Sequence, residues 1–161
     1  MIILIMGVAG SGKTTIGRLL AAELGWPYHE ADDFHSTANK AKMGRGESLD
    51  DADRAPWLAA IRAAIDDCVA HGRSAVFTCS ALKASYRRAL AGGVPAVRIV
   101  FLEGDRSLLQ QRLQARAGHY MKAGMLESQF AILEPPADAL KLDARHSPGD
   151  LVAEIRRALA L

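Results

Sequence analysis

The eight residues Gly7-Val8-Ala9-Gly10-Ser11-Gly12-Lys13-Thr14 constrain this chain more than any other stretch. They fit the spacing G-x-x-x-x-G-K-[ST] and lie between an apolar run, Ile2-Ile3-Leu4-Ile5-Met6, and an amphipathic stretch over 13–24. Glycines at these spacings let the backbone curl until successive N–H groups point inward, and the helix that starts there adds the positive end of its dipole. Such a turn cradles phosphate. Lys13 then reaches the outer phosphates as a mobile point charge, and the Thr14 hydroxyl is offered to magnesium. The expected nucleotide-binding set is Gly7, Val8, Ala9, Gly10, Ser11, Gly12, Lys13, Thr14 and Thr15. A coenzyme A or a dinucleotide is the alternative phosphate ligand.

A loop of this kind belongs in an α/β fold, and the rest of the chain supplies one. Short apolar runs at 2–6, 27–31, 74–79, 97–102 and 139–143 read as strands. Helical patterns cover 13–24, the start of 35–50, 51–71, 82–91, 105–117, a stretch before Pro135-Pro136, and 148 to the end. Alternating strands and helices imply right-handed crossovers and a parallel sheet flanked by helices on both faces, with ligands at the carboxyl ends of the strands. No repeat or Pro/Gly/Ser linker divides the 161 residues, so one domain over 1–161 is expected. Twenty basic and eighteen acidic side chains leave +2, which is not the charge of a dedicated nucleic-acid binder. The first apolar run is too short for a membrane span or a signal core, and Cys68 and Cys79 lack metal spacing; no membrane partner and a cytoplasmic location are expected.

The third strand raises a question. In many nucleotide-binding proteins the equivalent strand ends in an aspartate that helps hold magnesium, whereas here it ends Cys79-Ser80-Ala81-Leu82-Lys83. The nearest replacement is beyond the second strand, where Asp32 and Asp33 stand. A carboxylate there orients an acceptor hydroxyl, takes its proton late in transfer and touches magnesium through water. Two aspartates that merely cap the following helix are the plainer alternative. His35 is a hydrogen-bond partner for a polyol or a first-turn helix residue. Arg54, with Asp51 and Asp53 near enough to pin it, suits capture of a carboxylate, against the alternative of a surface ion pair. Lys83 and Arg87, four residues apart, share a helix face that either turns to the cleft or joins Arg88 in a solvated basic surface. Arg112 and Arg116, which join the expected nucleotide-binding set, precede a glycine-bracketed segment, and 116–125 reads as a lid that brings arginine to the transferring phosphoryl group. N-K-x-D and D-x-x-G, which a GTP switch requires, are absent.

With these residues in view, the sequence resembles the small gluconokinases of the P-loop kinase superfamily over nearly its whole length. The resemblance rests on "GVAGSGKTT", on Asp32, His35, Asn39, Lys42 and Met43 spaced D-x-x-H-x-x-x-N-x-x-K-M, on "LDDADRAPWL", on "CSALKASYR", and on "RAGHYMKAGMLESQF" followed by Leu133-Glu134-Pro135. It implies ATP- and magnesium-dependent phosphorylation of D-gluconate at its terminal hydroxyl. It further implies catalytic roles for Lys13, Asp32 and Arg116, metal contacts for Thr14 and Asp32, and acceptor or lid roles for His35, Arg54, Lys83, Arg87 and His119, with the acceptor region over about 32–57. A homodimer is common in the family, although no interface can be read from the residues. Ser36 and Ser48 stand where the pattern has proline, which is expected to loosen both loops. Another small acid or polyol as acceptor, such as shikimate, and an ATP sensor without turnover are the competing readings.

Overall fold

The computed structural model describes residues 1–115 and 123–161. Its centre is β1 (Ile2–Met6), a strand buried along its whole length. Successive side chains of a strand point to opposite faces, so Ile2, Leu4 and Met6 look one way and Ile3 and Ile5 the other. Both directions are covered. The even residues pack with Trp57, Ile61 and Ile65 of α3 (Asp51–Ala70) and Tyr86 and Leu90 of α4 (Ala84–Ala91). The odd residues pack with Ile16 and Leu20 of α1 (Lys13–Leu24) and Leu151, Val152 and Ile155 of α7 (Pro148–Leu159). A strand with two buried faces has no reason to alternate, which is why β1 reads as an unbroken apolar run.

The remaining strands are β2 (Tyr28–Glu30), β3 (Ala75–Thr78), β4 (Val97–Glu103) and β5 (Leu140–Asp143). All pairs are parallel, in the order β2-β3-β1-β4-β5. The chain fills one side of β1 first and then the other. The crevice at the carboxyl end of β1 is therefore the switch point where open α/β sheets bind ligands, and the phosphate loop begins there. Among the described residues no helix is long and apolar enough to cross a membrane.

Local chemistry sets the helix boundaries. A short 3-10 turn, Ala31–Phe34, follows β2, and α2 (Thr37–Gly44) follows that. The Ser36 hydroxyl accepts the Asn39 N–H at 3.1 Å, so the serine caps α2 where proline was expected to stiffen it. At α3 a reciprocal capping box joins Asp50 and Asp53, and Pro56 is carried inside the helix just beyond it. The helix after β3 starts two residues later than the sequence pattern predicts. Ala81 there adopts φ 39°, and the Arg87 guanidinium donates to the Ala81 and Leu82 carbonyls at 3.0 and 2.9 Å. The described part of the 105–117 helix is α5 (Arg106–Ala115), and α6 spans Ala123–Ile132. Cys68 and Cys79 are buried free thiols, and burial pushes the Cys79 thiol up to about 12.

Gly17 brings α1 against the sheet. A Cβ there would stand 2.5 Å from Thr78 Cγ2 and 2.9 Å from Tyr28 Cε2. Gly17→Ala is expected to cost about 1–3 kcal/mol, the usual range for overpacking, read as a lower urea midpoint. An unchanged midpoint would mean that the helix lifts off the sheet without penalty.

Candidate active site

The phosphate loop has the form of an anion cradle. Gly12 takes φ 98° as the residue that starts α1 and brings no capping side chain, so the first amides of the helix are not claimed by one. The Ser11 hydroxyl is fully buried with no hydrogen-bond partner. Gly7 lies so close to its surroundings that a Cβ would meet Ser11 Oγ at 2.7 Å and the Leu102 carbonyl at 2.8 Å. Lys13 arches back over the loop and donates to the Val8 carbonyl at 3.1 Å. Val8 itself is clamped in a small apolar cluster with Leu82, Leu109 and Leu126. Gln129 of α6 accepts the Ala9 N–H at 2.7 Å and fixes the far rim. An orphaned hydroxyl, helix-end amides and a lysine around one hollow fit a phosphate group.

Beside the cradle is a carboxylate that sequence reasoning missed. Glu30, the last residue of β2, accepts the Thr14 hydroxyl at 2.9 Å. Its two oxygens also take the Tyr28 hydroxyl at 2.5 Å and the Thr78 hydroxyl at 2.8 Å. Burial, with Glu30 alongside, pushes the Tyr28 phenol up to about 12, so it stays a proton donor. The parallel register places Glu30 opposite Thr78 of β3, which brings the carboxylate to the strand end where aspartate is missing. The signal was present in the sequence as an acid at the end of the second strand, two positions before Asp32. Thr14 gives its proton to Glu30 and so turns its oxygen lone pairs elsewhere, as a ligand to a hard cation must. Among the described residues no group of three or more His, Cys, Asp or Glu side chains forms a metal cage, so such a cation would take most of its ligands from phosphate and water.

Asp32 and Asp33 both sit in the 3-10 turn. Asp32 is an exposed residue with Glu30, His35 and Lys13 acting on it; partial burial of its carboxyl, then Glu30, raise it above the ordinary value against the pull of His35 and Lys13. His35 is buried and stacks on Trp57 with ring centres 4.5 Å apart and planes 8° apart. Trp57 in turn donates its indole N–H to the Ala31 carbonyl at 2.7 Å, tying α3 to this turn. Burial keeps His35 below the usual histidine range, and its Nδ1 has no partner.

Arg54 lies one turn before Trp57 on α3 and close enough to His35 to act on its charge. The expected pinning by Asp51 and Asp53 is corrected by the structure, because both carboxylates are engaged elsewhere. Asp53 closes the capping box and holds Lys42 at 2.6 Å, while Asn39 donates to its carbonyl at 2.8 Å. Asp51 takes Lys83 at 2.9 and 3.1 Å and the Tyr86 hydroxyl. Arg54 Nη1 instead donates to Tyr86 Oη at 3.1 Å, another residue that sequence reasoning passed over. Arg87 is a second correction. It does not share Lys83's position at the cleft but is buried under the loop whose carbonyls it holds. Glu134 completes that brace by accepting the Ala84 N–H at 2.6 Å, which accounts for the Leu133-Glu134-Pro135 element. Arg112 donates to the Ala144 carbonyl at 2.6 Å, just past β5. Arg116, His119 and nearly all of the expected lid at 116–125 lie outside the described residues.

A parallel sheet with a phosphate loop at its switch point and acidic residues at and just beyond the end of β2 defines a small P-loop kinase. Comparison with known proteins narrows this. A family model described as an AAA domain matches residues 2–136. A gluconokinase of Gluconobacter oxydans is 42% identical over 158 residues, covering 96% of this chain and 89% of the relative. Among solved structures, a sugar kinase from a Janibacter species superposes with a TM-score of 0.90 at 41% identity, covering 99% of this chain and 94% of the other. A gluconokinase from Sinorhizobium meliloti gives 0.85 at 38%, covering 98% and 90%. The chain belongs to the gluconokinase family.

Because the fold raises the Asp32 carboxyl above its unfolded value, ionised Asp32 costs stability at neutral pH, and that cost disappears as the pH falls through the raised value. Asp32→Asn should therefore raise the urea midpoint at pH 7 and lose this advantage in acid. An equal midpoint at both pH values would show that the carboxylate meets no penalty in the cleft.

Proposed function

We propose that the protein transfers the terminal phosphoryl group of ATP to the 6-hydroxyl of D-gluconate, giving 6-phosphogluconate and ADP. The observation that supports this reading is that Asp32 is within electrostatic reach both of Lys13 of the phosphate loop and of His35, on which Arg54 also acts. A kinase for a small polyol acid needs that order: phosphate cations, a carboxylate for the reacting hydroxyl, then a cation for the acid group.

In the proposed reaction the 6-hydroxyl oxygen bonds to the γ-phosphorus as the bond to the ADP oxygen breaks, and the hydroxyl proton passes to Asp32. A carboxyl raised above the ordinary range is better suited to hold that proton. Lys13 and the loop amides stabilise charge on the phosphoryl oxygens. Thr14 would hold magnesium, with Glu30 and Asp32 nearby, and the ion would supply charge neutralisation on the phosphates. Arg54 receives the gluconate carboxylate, and the unpartnered His35 ring offers a nitrogen to a hydroxyl of the chain. Arg116 and His119, from the segment after α5, are proposed to complete the nucleotide and acceptor contacts.

ADP release should appear with magnesium-ATP and D-gluconate and not with shikimate, a nucleoside monophosphate or no acceptor. Release with a different acid alone would keep the phosphate chemistry and discard the acceptor assignment, and ATP binding without any release would favour a sensor. In the same assay Asp32→Asn is expected to lose on the order of 10²–10⁴-fold in turnover. Glu30→Gln should raise the magnesium concentration needed for half activity by roughly 10–100-fold, the usual effect of losing a residue that orients a metal ligand. An unchanged magnesium curve would detach Glu30 from the metal.

A further inference from the structure

Tyr86 forms a closed set with Asp51, Arg54 and Lys83, which come from the LDDADRAPWL and CSALKASYR stretches and whose mutual contacts the reaction as proposed leaves unexplained. The Tyr86 ring is buried, 6% exposed, between α3 and α4. Its hydroxyl touches two groups of opposite character: an Asp51 carboxylate oxygen, which can only accept, and Arg54 Nη1, which can only donate at 3.1 Å. The phenolic proton is therefore committed to Asp51, and the oxygen is left as an acceptor for Arg54. Lys83 holds Asp51 from the other side at 2.9 and 3.1 Å. Both cations also lie over the face of the ring, Arg54 at 5.6 Å from its centre and Lys83 at 5.3 Å.

Two positive charges and one negative leave this set with a net charge of +1. Of the two cations, among the described residues only Lys83 is in direct contact with a carboxylate. Among the described residues the Tyr86 hydroxyl is the hydrogen-bond partner of Arg54, so most of the guanidinium's five N–H groups remain for a ligand. The order is directional: Lys83 fixes Asp51, Asp51 fixes the phenolic proton, and the phenol aims the guanidinium.

We propose that Tyr86, backed by Asp51 and Lys83, is the positioning device for Arg54, and that it sets the affinity of the site for the acid group of the acceptor. Lys83 thereby acts through Arg54 and not on the substrate. This rests on the reading that Arg54 receives the acceptor's carboxylate. A planar fork matches a carboxylate only when its orientation is held, so a residue that restricts the fork works on acceptor binding and not on phosphate chemistry.

The test is a double-mutant cycle on the full chain with the wild type, Tyr86→Phe, Arg54→Ala and the double variant. Steady-state constants for D-gluconate and for ATP are measured together with urea midpoints. Tyr86→Phe keeps the buried ring and should raise the gluconate KM roughly tenfold, as expected for one lost hydrogen bond to a charged group, with kcat and the ATP KM nearly unchanged. In the Arg54→Ala background the same change should alter kcat/KM for gluconate by less than about twofold, because the residue it positions is gone. Asp51→Asn should move the gluconate KM in the same direction as Tyr86→Phe. Additive effects in the cycle, or parallel rises in both KM values with a fallen midpoint, would overturn the proposal and leave Tyr86 as a packing residue. A wild type active on gluconate with an unaltered Tyr86→Phe KM would sink the positioning device alone. A wild type inactive on gluconate would bring down the functional reading and this inference with it.

Discussion

A hydroxyl has one proton to give, and at Thr14 Glu30 takes it. That hydrogen bond joins the first turn of α1, the helix that follows β1, to the end of β2, a strand that β3 separates from β1 in the sheet. It can form because Thr78, in register with Glu30, has a small hydroxyl side chain that donates to the carboxylate in place of a rival acid. It is maintained because Gly17 lets α1 approach the sheet and Tyr28 closes the other side of the carboxylate. The phosphate loop is thus anchored by polar contacts on its β2 side and by the Val8 apolar cluster and Gln129 on the other. Its conformation is held from both flanks before any ligand enters, which lowers the ordering cost of binding.

The acceptor side is built differently. Phosphate contacts come from backbone amides and need little side-chain support, whereas the acceptor side depends on long charged side chains that must be immobilised. The sequence meets this need by tying α2, α3 and α4 together through acids. Asp53 links the α3 cap to Lys42 and, through its carbonyl, to Asn39 of α2. Asp51 links α3 to Lys83 and Tyr86 of the α4 side. Most of these ion pairs are partly exposed and each contributes little to stability alone. Their value is geometric, since each fixes the position of one helix side chain against the next.

Much of this was legible from the residues. The phosphate loop and the sheet class follow from a spaced glycine motif between an apolar strand and a helix, features whose physics is local. Asp32, His35 and Arg54 were identifiable as chemistry-bearing types near a strand end. What was not legible depends on register and direction. Glu30 looked like an ordinary strand-end acid until the pairing with Thr78 put it at Thr14. Arg87 and Lys83 share helical spacing, yet one is turned under the loop and the other outward, because the left-handed backbone at Ala81 swings two carbonyls into reach of a guanidinium. Asp51 and Asp53 are near Arg54 in sequence, but capping and Lys83 compete for them and prevail.

The ending of β3 can now be understood as a division of labour between strands. If the metal-side carboxylate stood at the end of β3, that strand's following loop would have to stay near the phosphates. With the acid at the end of β2, the loop after β3 serves another purpose: Cys79 is buried, Arg87 and Glu134 brace the turn, and Lys83 at the start of α4 is paired with Asp51 of α3. The same placement concentrates negative charge along Glu30 and Asp32, with Lys13 on one side and His35 and Arg54 on the other. Under the proposed acceptor assignment, an anionic acceptor would be repelled from that centre and attracted to its far rim, so that its acid group would lie outward and its uncharged hydroxyl end toward the phosphate loop, the polarity that phosphorylation of a terminal hydroxyl requires.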